Sequence, residues 1–407
     1  MCTRTKPTDF PRPELYRNPG TPPFRDEQGA YHVFCHAHVL RVLRNADEAF
    51  SRQENWLPAD TRHMTSEFMW STEPFTMGGE PGRHDALRAV VEPWFHTRAV
   101  RTMEPLIRQL TAELVDEVVA TGMGKFDLAR ELAYPLAMRV ICRLCGMEVD
   151  RERWLGEKLQ DFSRAPSPAD YPPQWDLQAY FWKLAAKRLA RPNDELLDVL
   201  LRAWTAETIS DGELLGYLFG FLAGGVETTG ASLANAFALL SEHGQIEQLS
   251  GQLDNEQALA RAVEEILRFG SAFPVLPLFV RKEAAFGDLV VPAGSILHVW
   301  FAAANRDEAV NAGVRQSPPT VFDPGRWPNR HLGLGHGMHY CLGAELARLE
   351  IRIALQEGLR RLPGLRLDDT KPFTRRAGIV DAVTEAAFTF DQPAAEKMHG
   401  RAPRAAG

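Results

Sequence analysis

From Val90 to Gly270 the apolar residues of this 407-residue chain recur at helical spacing. Leu106, Leu110, Leu114 and Val118 step by fours, as do Leu136, Val140 and Leu144, while Leu233, Phe237 and Leu240 step by fours and threes. Each set shares one face of a helix. A different pattern appears later: Pro277 to Val280, Leu289 to Val291 ahead of the turn signal Pro292-Ala293-Gly294, Ile296 to Trp300, and Ala387 to Phe390 read as short strands. Long helices with few short strands predict a mainly α fold with small antiparallel β-sheets. No repeat of 20 to 50 residues and no Gly/Ser or charged linker divides the chain, so one domain over 1–407 is expected. Its Pro-, Gly- and Arg-biased ends, 1–30 and 393–407, read as loosely ordered.

The run LLGYLFGFLAGGV, Leu214 to Val226, is too short and too rich in glycine to cross a bilayer and predicts a helix buried on all sides. It then meets Glu227-Thr228-Thr229. A carboxylate ending so apolar a helix is costly to bury unless water or a partner reaches it, which marks a site. Composition, 45% hydrophobic and 24% charged, is that of a globular protein able to enclose a cofactor. The net charge of -7 offers no global field for nucleic acid, and no segment has the length of a membrane span or the apolar core of a signal peptide. A cytoplasmic protein is expected, with its five scattered cysteines reduced.

One of these, Cys341, lies in LGLGHGMHYCLG, Leu332 to Gly343, just ahead of Leu342, Leu346, Leu349 and Ile353, which share a helix face. A free cysteine is most often a small buried hydrophobe. Here the sulfur lies near a helix N-terminus, where unpaired N–H groups favour a thiolate ligand or nucleophile. Zinc would require further soft ligands, and only His336 and His339 are near. A nucleophile could use His339 as base, which leaves the glycines unexplained. Gly333, Gly335 and Gly337 lack the spacing of a dinucleotide loop. A flat macrocycle lying against backbone, with sulfur donated to its iron, suits both features.

The stretch resembles the heme-binding loop of the cytochrome P450 family, Phe-Gly-x-Gly-x-[His/Arg]-x-Cys-x-Gly, through Gly335, Gly337, His339, Cys341 and Gly343, with Leu334 in place of the phenylalanine. Other segments agree in order. Glu265-Ile266-Leu267-Arg268 is similar to the family's Glu-x-x-Arg element, and Arg326 stands where its third partner is expected; these three imply a structural role. Gly224-Gly225-Val226-Glu227-Thr228-Thr229 resembles the oxygen-activation motif, although a helical threonine also bonds back to the carbonyl four residues earlier. Glycines in a helix cost about 1 kcal/mol each, which a groove admitting a diatomic ligand would justify. His84 and Arg88, in a segment similar to the family's His-x-x-x-Arg element, join His339 and Arg281 as implied donors to two propionates. Asn305-Arg306-Asp307 is a further match, and the resemblance runs over roughly residues 30 to 390.

The resemblance implies a thiolate-ligated heme b with Cys341 as metal ligand, and His339, His84, Arg88, Arg281, Gly335 and Gly225 around the cofactor. Glu227 and Thr228 are the implied catalytic pair, relaying protons to dioxygen. The pair favours dioxygen over peroxide, with electrons from a separate ferredoxin and ferredoxin reductase, docked through Arg98, Arg101, Arg348 and Arg352, on a monomer. A small-molecule substrate pocket is expected from Trp56, Trp70, Phe75, Phe162, Leu222, Val275, Leu276 and Ile379, whose aromatics suit an apolar, ring-bearing secondary metabolite. Non-hydroxylating chemistry such as ring coupling or nitration, and a non-catalytic heme module, are the alternatives. Cys142-x-x-Cys145 lies in an apolar helical stretch and reads as core; His36-Ala37-His38 reads as surface or loop.

Overall fold

The computed structural model describes residues 20–45, 48–51, 81–164, 175–311, 317–371, 373–376 and 380–392. In chain order its helices are α1 (His36–Arg44), α2 (Pro81–Val91), α3 (Thr97–Arg101), α4 (Glu104–Ala120), α5 (Tyr134–Leu144), α6 (Glu152–Arg164), α7 (Trp175–Ala190), α8 (Leu196–Thr205), α9 (Asp211–Glu242), α10 (Ile246–Ser250), α11 (Glu256–Phe269), α12 (Phe301–Ala304), α13 (Glu308–Asn311) and α14 (Ala344–Arg361). The strands are β1 (Phe24–Arg25), β2 (Tyr31–Val33), β3 (Phe50–Ser51), β4 (Lys125–Asp127), β5 (Leu276–Val280), β6 (Ala284–Phe286), β7 (Leu289–Val291), β8 (Ile296–Val299), β9 (Arg366–Leu367), β10 (Thr374–Arg376), β11 (Ala382–Glu385) and β12 (Ala387–Thr389).

The 32-residue α9 is the axis of the molecule. Ser210 and Glu213 start it with reciprocal side-chain to backbone bonds, satisfying orphan N–H groups, and Glu213 also accepts from Arg83 Nε of α2 at 2.7 Å. Tyr217 Oη donates to Leu87 O at 2.6 Å, fixing α2 to the same helix. Side chains from α4, α5, α11 and α14 bury most of the rest of α9 in one apolar cluster. Glycine permits the closest of these contacts: a Cβ on Gly225 would lie 2.3 Å from Ile141 Cδ1, and one on Gly230 would lie 2.6 Å from the Tyr134 ring, both on α5.

A five-stranded sheet in the order β1-β2-β8-β5-β3 packs a second apolar cluster. Its β2–β8 pair is parallel, with Tyr31 opposite Leu297, and its other pairs are antiparallel. Here the expected loose end differs. Residues 24–33 are pinned because Asp26 accepts from the N–H groups of Gln28 and Ala30, closing the turn between β1 and β2. His36 is likewise buried at the start of α1, its N–H donating to Asp307 at 2.8 Å, so it is not a surface residue. Cys142 and Cys145 are core, as expected, and burial pushes the Cys142 thiol up to about 12.

Behind the sheet, Glu265, Arg268 and Arg326 form a fully buried knot. Arg268 grips Glu265 with two bonds, at 2.7 and 2.8 Å, and Arg326 Nε reaches the same carboxylate at 3.2 Å. The remaining guanidinium N–H groups donate to the carbonyls of Asn305, Pro319, Asn311, Ser317, Pro318 and Val321. Removing one partner of a buried ion pair strands the other charge, at a cost of about 3–5 kcal/mol. Glu265→Ala is therefore expected to abolish accumulation of folded protein, whereas Glu265→Gln, which keeps acceptors, retains a measurable and lowered thermal midpoint. Equal melting of Glu265→Ala and the parent chain would contradict this assignment.

Candidate functional site

Asn305 connects the knot to the cysteine loop. Its carbonyl accepts from Arg268, its Nδ2 donates to Arg268 O and Ser271 Oγ, and its Oδ1 accepts the Leu332 N–H at 2.6 Å. The loop then turns through Gly335 and Gly337, at φ +76° and +73°, where a Cβ is strained. Gly337 also packs on α1, since a Cβ there would lie 2.6 Å from Leu43 O. Cys341 N–H returns to Leu334 O at 2.9 Å, so Leu334 supplies the acceptor that closes the loop, and its side chain packs on the main apolar cluster. α14 begins three residues after the cysteine.

Cys341 is half-buried. Desolvation pushes its thiol up, opposed by a hydrogen bond from the Gly343 backbone and by the charges of Arg88 and Arg348. The helix N-terminus therefore does not by itself produce a thiolate; a cation in contact with the sulfur is needed to outweigh desolvation. Two residues from the sulfur, a Cβ at Gly343 meets nothing within 4 Å, and on α9 one at Gly224 likewise meets nothing. This soft donor, flanked by backbone without side chains, fits an iron macrocycle.

His84, Arg88 and His339 are brought together. The buried His84 ring of α2 meets His339 edge-on, with centroids 4.6 Å apart, and Arg88 Nη1 donates to Tyr340 O at 2.8 Å. Arg281 follows β5, its N–H donating to Ala49 O at 2.7 Å, with a half-buried side chain.

On α9 the partly exposed residues Gly220, Ala223, Gly224, Glu227 and Thr228 make one stripe at steps of three and four on a helix that is buried over most of its length, with Phe219 and Gly225 also partly exposed beside it. Thr228 Oγ1 donates to Gly224 O at 2.5 Å and Ser232 Oγ to Thr228 O at 2.8 Å, a hydroxyl ladder running beside the helix backbone. Glu227 Oε1 lies 3.5 Å from Arg376 Nη2 of β10. At the partly exposed Gly225 the Cβ position meets Ile141, so its missing side chain serves helix packing, while a Cβ at Gly224 would meet nothing within 4 Å. Leu222 and Val275 are corrected, since both are fully enclosed in packed clusters and leave no lining surface. Leu276 faces the sheet's apolar cluster, and the partly exposed face of β5 carries Pro277 and Phe279 instead. Counting back by fours from Thr228 and alternating along β5 were the signals for these missed positions. Trp56, Trp70, Phe75 and Ile379 lie outside the described residues, as does the Phe162 side chain.

Of the four arginines expected at a partner surface, two are engaged. Arg348 bonds Glu264 at 2.7 Å, Tyr340 Oη at 3.0 Å and Glu345 at 3.0 Å, and Arg352 bonds Glu104 at 2.9 Å. Arg98 and Arg101 on α3 are exposed and carry no ion pair among the described residues.

A family model described as Cytochrome P450 matches residues 177–380. Cytochrome P450 107B1 of Saccharopolyspora erythraea is 36% identical over 301 residues, covering 72% of this chain and 71% of that one. Mycinamicin IV hydroxylase/epoxidase of Micromonospora griseorubida is 35% identical over 301 residues, 71% and 72% of the two chains. The crystal structure of CalO2 superposes with a TM-score of 0.81 at 26% identity, covering 96% of this chain and 100% of that one. These likenesses establish a heme-thiolate oxidoreductase. The chain belongs to the cytochrome P450 family and is a monooxygenase. Among the described residues no helix is long and apolar enough to cross a membrane.

Below the loop, Glu264 joins His331 at 2.8 Å to Arg348. Burial raises its carboxyl, yet the hydrogen bonds and charges of His331 and Arg348 outweigh this and hold it at about 2, below the ordinary 4.5. A depressed carboxyl stabilises the fold above its unfolded value, here to the order of 3 kcal/mol at neutral pH, and that contribution fades as pH falls from about 4.5 toward 2. Glu264→Gln is expected to lower the thermal midpoint at pH 7 and to converge with the parent protein over that window; a difference independent of pH would count against it.

Proposed function

We propose that Cys341 is the thiolate ligand of the heme, that His84, Arg88, His339 and Arg281 hold its propionates, and that Glu227 and Thr228 deliver protons at its distal face. When bound, the heme supplies dioxygen activation and the oxidation itself. The protein's share is positioning and proton supply. Thr228 Oγ1, anchored to Gly224 O, keeps two lone pairs on the open stripe and holds a water there. Glu227, one residue earlier and partly exposed, takes a proton from solvent and passes it to that water, general acid catalysis through a short chain. The surrounding apolar helix excludes other water, which keeps the proton supply confined to this route. The observation that carries the reading is the acid and alcohol placed on the exposed stripe of a buried helix, above backbone left open at Gly224.

Electrons come from a separate ferredoxin, docked on α3 through Arg98 and Arg101, with ferredoxin reductase behind it. The substrate is an apolar, ring-bearing small molecule of secondary metabolism, a class supported by the mycinamicin-oxidising relative. The single chain is read as one domain acting as a monomer in the cytoplasm.

Reduced protein with carbon monoxide is expected to give the red-shifted Soret band of a thiolate, and Cys341→Ser to lose it; a histidine-type band from intact protein would overturn the ligand assignment. Thr228→Ala should retain heme and the band while product formed per NADPH falls about tenfold or more and hydrogen peroxide rises; unchanged coupling would remove Thr228 from the proton path. Charge reversal at both Arg98 and Arg101 should raise the apparent KM for ferredoxin about tenfold at low salt and less at high salt, as screening predicts. An unchanged KM at low salt would place the docking surface elsewhere.

A further inference from the structure

Tyr134 opens α5 directly after a π-helical turn, Ala129–Ala133, a distortion often found at functional sites. Its hydroxyl is buried and has no hydrogen-bond partner among the described residues. A phenol enclosed this way forfeits the hydrogen bonds it would make in water, so the position calls for a physical reason. The ring lies on Gly230, where a Cβ would come within 2.6 Å of Cδ1 and 2.9 Å of Cε1. Gly230 is one helical turn beyond Glu227, which places the phenol along the flank of α9 that carries the carboxylate. The charges that act on it are those of Arg376 and Glu227, and burial keeps it protonated up to about 12. At working pH it is a hydrogen-bond donor that stays neutral.

Arg376 is held in register by its neighbours. Arg375 grips Asp381 with two bonds, at 2.7 and 2.9 Å, and the Asp381 peptide is fixed to Ala272 O and to Asn235 of α9. Asn235 also accepts from Val383 N–H, so the β10–β11 hairpin is bonded to the same helix that bears Glu227. The backbone at Arg376 is thus fixed, its guanidinium lies 3.5 Å from the carboxylate, and a carboxylate that leaves this cation to carry a proton is steadied by a further donor on its path.

We propose that Tyr134 is a positioning residue for Glu227, a second donor that takes up the carboxylate, directly or through one water, when it leaves Arg376 to carry a proton. In that step a solvent hydronium protonates the carboxylate, the acid passes the proton to the water held by Thr228, and the carboxylate is regenerated. Tyr134 keeps its own proton throughout, and nothing is oxidised or reduced. The inference rests on Glu227 being the proton carrier.

The test uses the heme-loaded full chain with Tyr134→Phe, which keeps the ring on Gly230, together with Glu227→Gln, Arg376→Lys and Glu227→Ala. Tyr134→Phe is expected to keep heme content and the carbon monoxide band, to raise peroxide released per NADPH about threefold, and to increase the solvent deuterium isotope effect. Arg376→Lys, on a strand away from the α5–α9 contact, should give a smaller change in the same direction. Independently of turnover, thermal midpoints should be non-additive: Tyr134→Phe removes a hydroxyl that is unmet while Glu227 rests on Arg376, and is expected to raise the midpoint less with Glu227 present than in the Glu227→Ala background. Additive midpoints with parent-like peroxide yield and isotope effect for Tyr134→Phe, while Glu227→Gln perturbs both, would overturn the role of Tyr134 alone. A parent-like Glu227→Gln would overturn the reading of Glu227 beneath it.

Discussion

A single buried carboxylate shared by two arginines holds together the part of the molecule that has no ladder of its own. Glu265 neutralises one of the two guanidinium charges; six backbone carbonyls between Asn305 and Val321 stabilise the other. Among the described residues, these carbonyls belong to a stretch with a single turn of helix and no strand or long helix to pair them. The knot therefore solves two problems at once, since the buried cations need acceptors and the irregular backbone needs donors. Through Asn305 and Asn329 the order propagates to the entrance of the cysteine loop, so the position of the sulfur depends on an interaction in another part of the sheet-side core.

The sulfur and the acid–alcohol pair face opposite electrostatic demands. Cys341 is desolvated and requires a cation before it ionises, whereas Glu227 remains partly exposed beside Arg376 and keeps contact with solvent. The sulfur is half-buried and the carboxylate partly exposed, so the two differ in the charges that face them rather than in access to water. Along α9, Ile141 and Tyr134 of α5 cover Gly225 and Gly230, while a Cβ at Gly224 would meet nothing within 4 Å.

Where side chains repeat at a regular interval, the chain was legible: the apolar fours of α4 and α5, the alternation of β5 and the cysteine before α14 all stand where their spacing puts them. Strands of two or three residues carry too few side chains for a period, so β1, β2, β3, β4, β6, β9 and β10 left no trace, while β7, marked by its Pro-Ala-Gly turn, and β12 were read; the parallel pairing of β2 with β8 joins residues far apart in sequence. Leu222 was misplaced because sequence proximity to a motif names neighbours, while a helix presents every third or fourth residue to one side. Pairing of charges was invisible for a related reason: Arg348 and Arg352 read as free cations until the fold brought Glu264 and Glu104 to them. His36 was likewise taken for a surface residue, because the Asp307 that fixes its backbone is distant in the chain.

The unequal flanks of α9 also bear on how such an enzyme diversifies. On the α5 side, Gly225 and Gly230 leave no volume for even one added methyl, so mutation there is purged by stability alone. On the uncovered side, Ala223 and Gly224 border open space, and a Cβ at Gly224 touches nothing. A side chain added at Gly224 alters the surface of the helix without disturbing the packing that holds it. Change is therefore tolerated beside Glu227 and Thr228 and resisted against α5, so that surface can vary on a scaffold that stays folded.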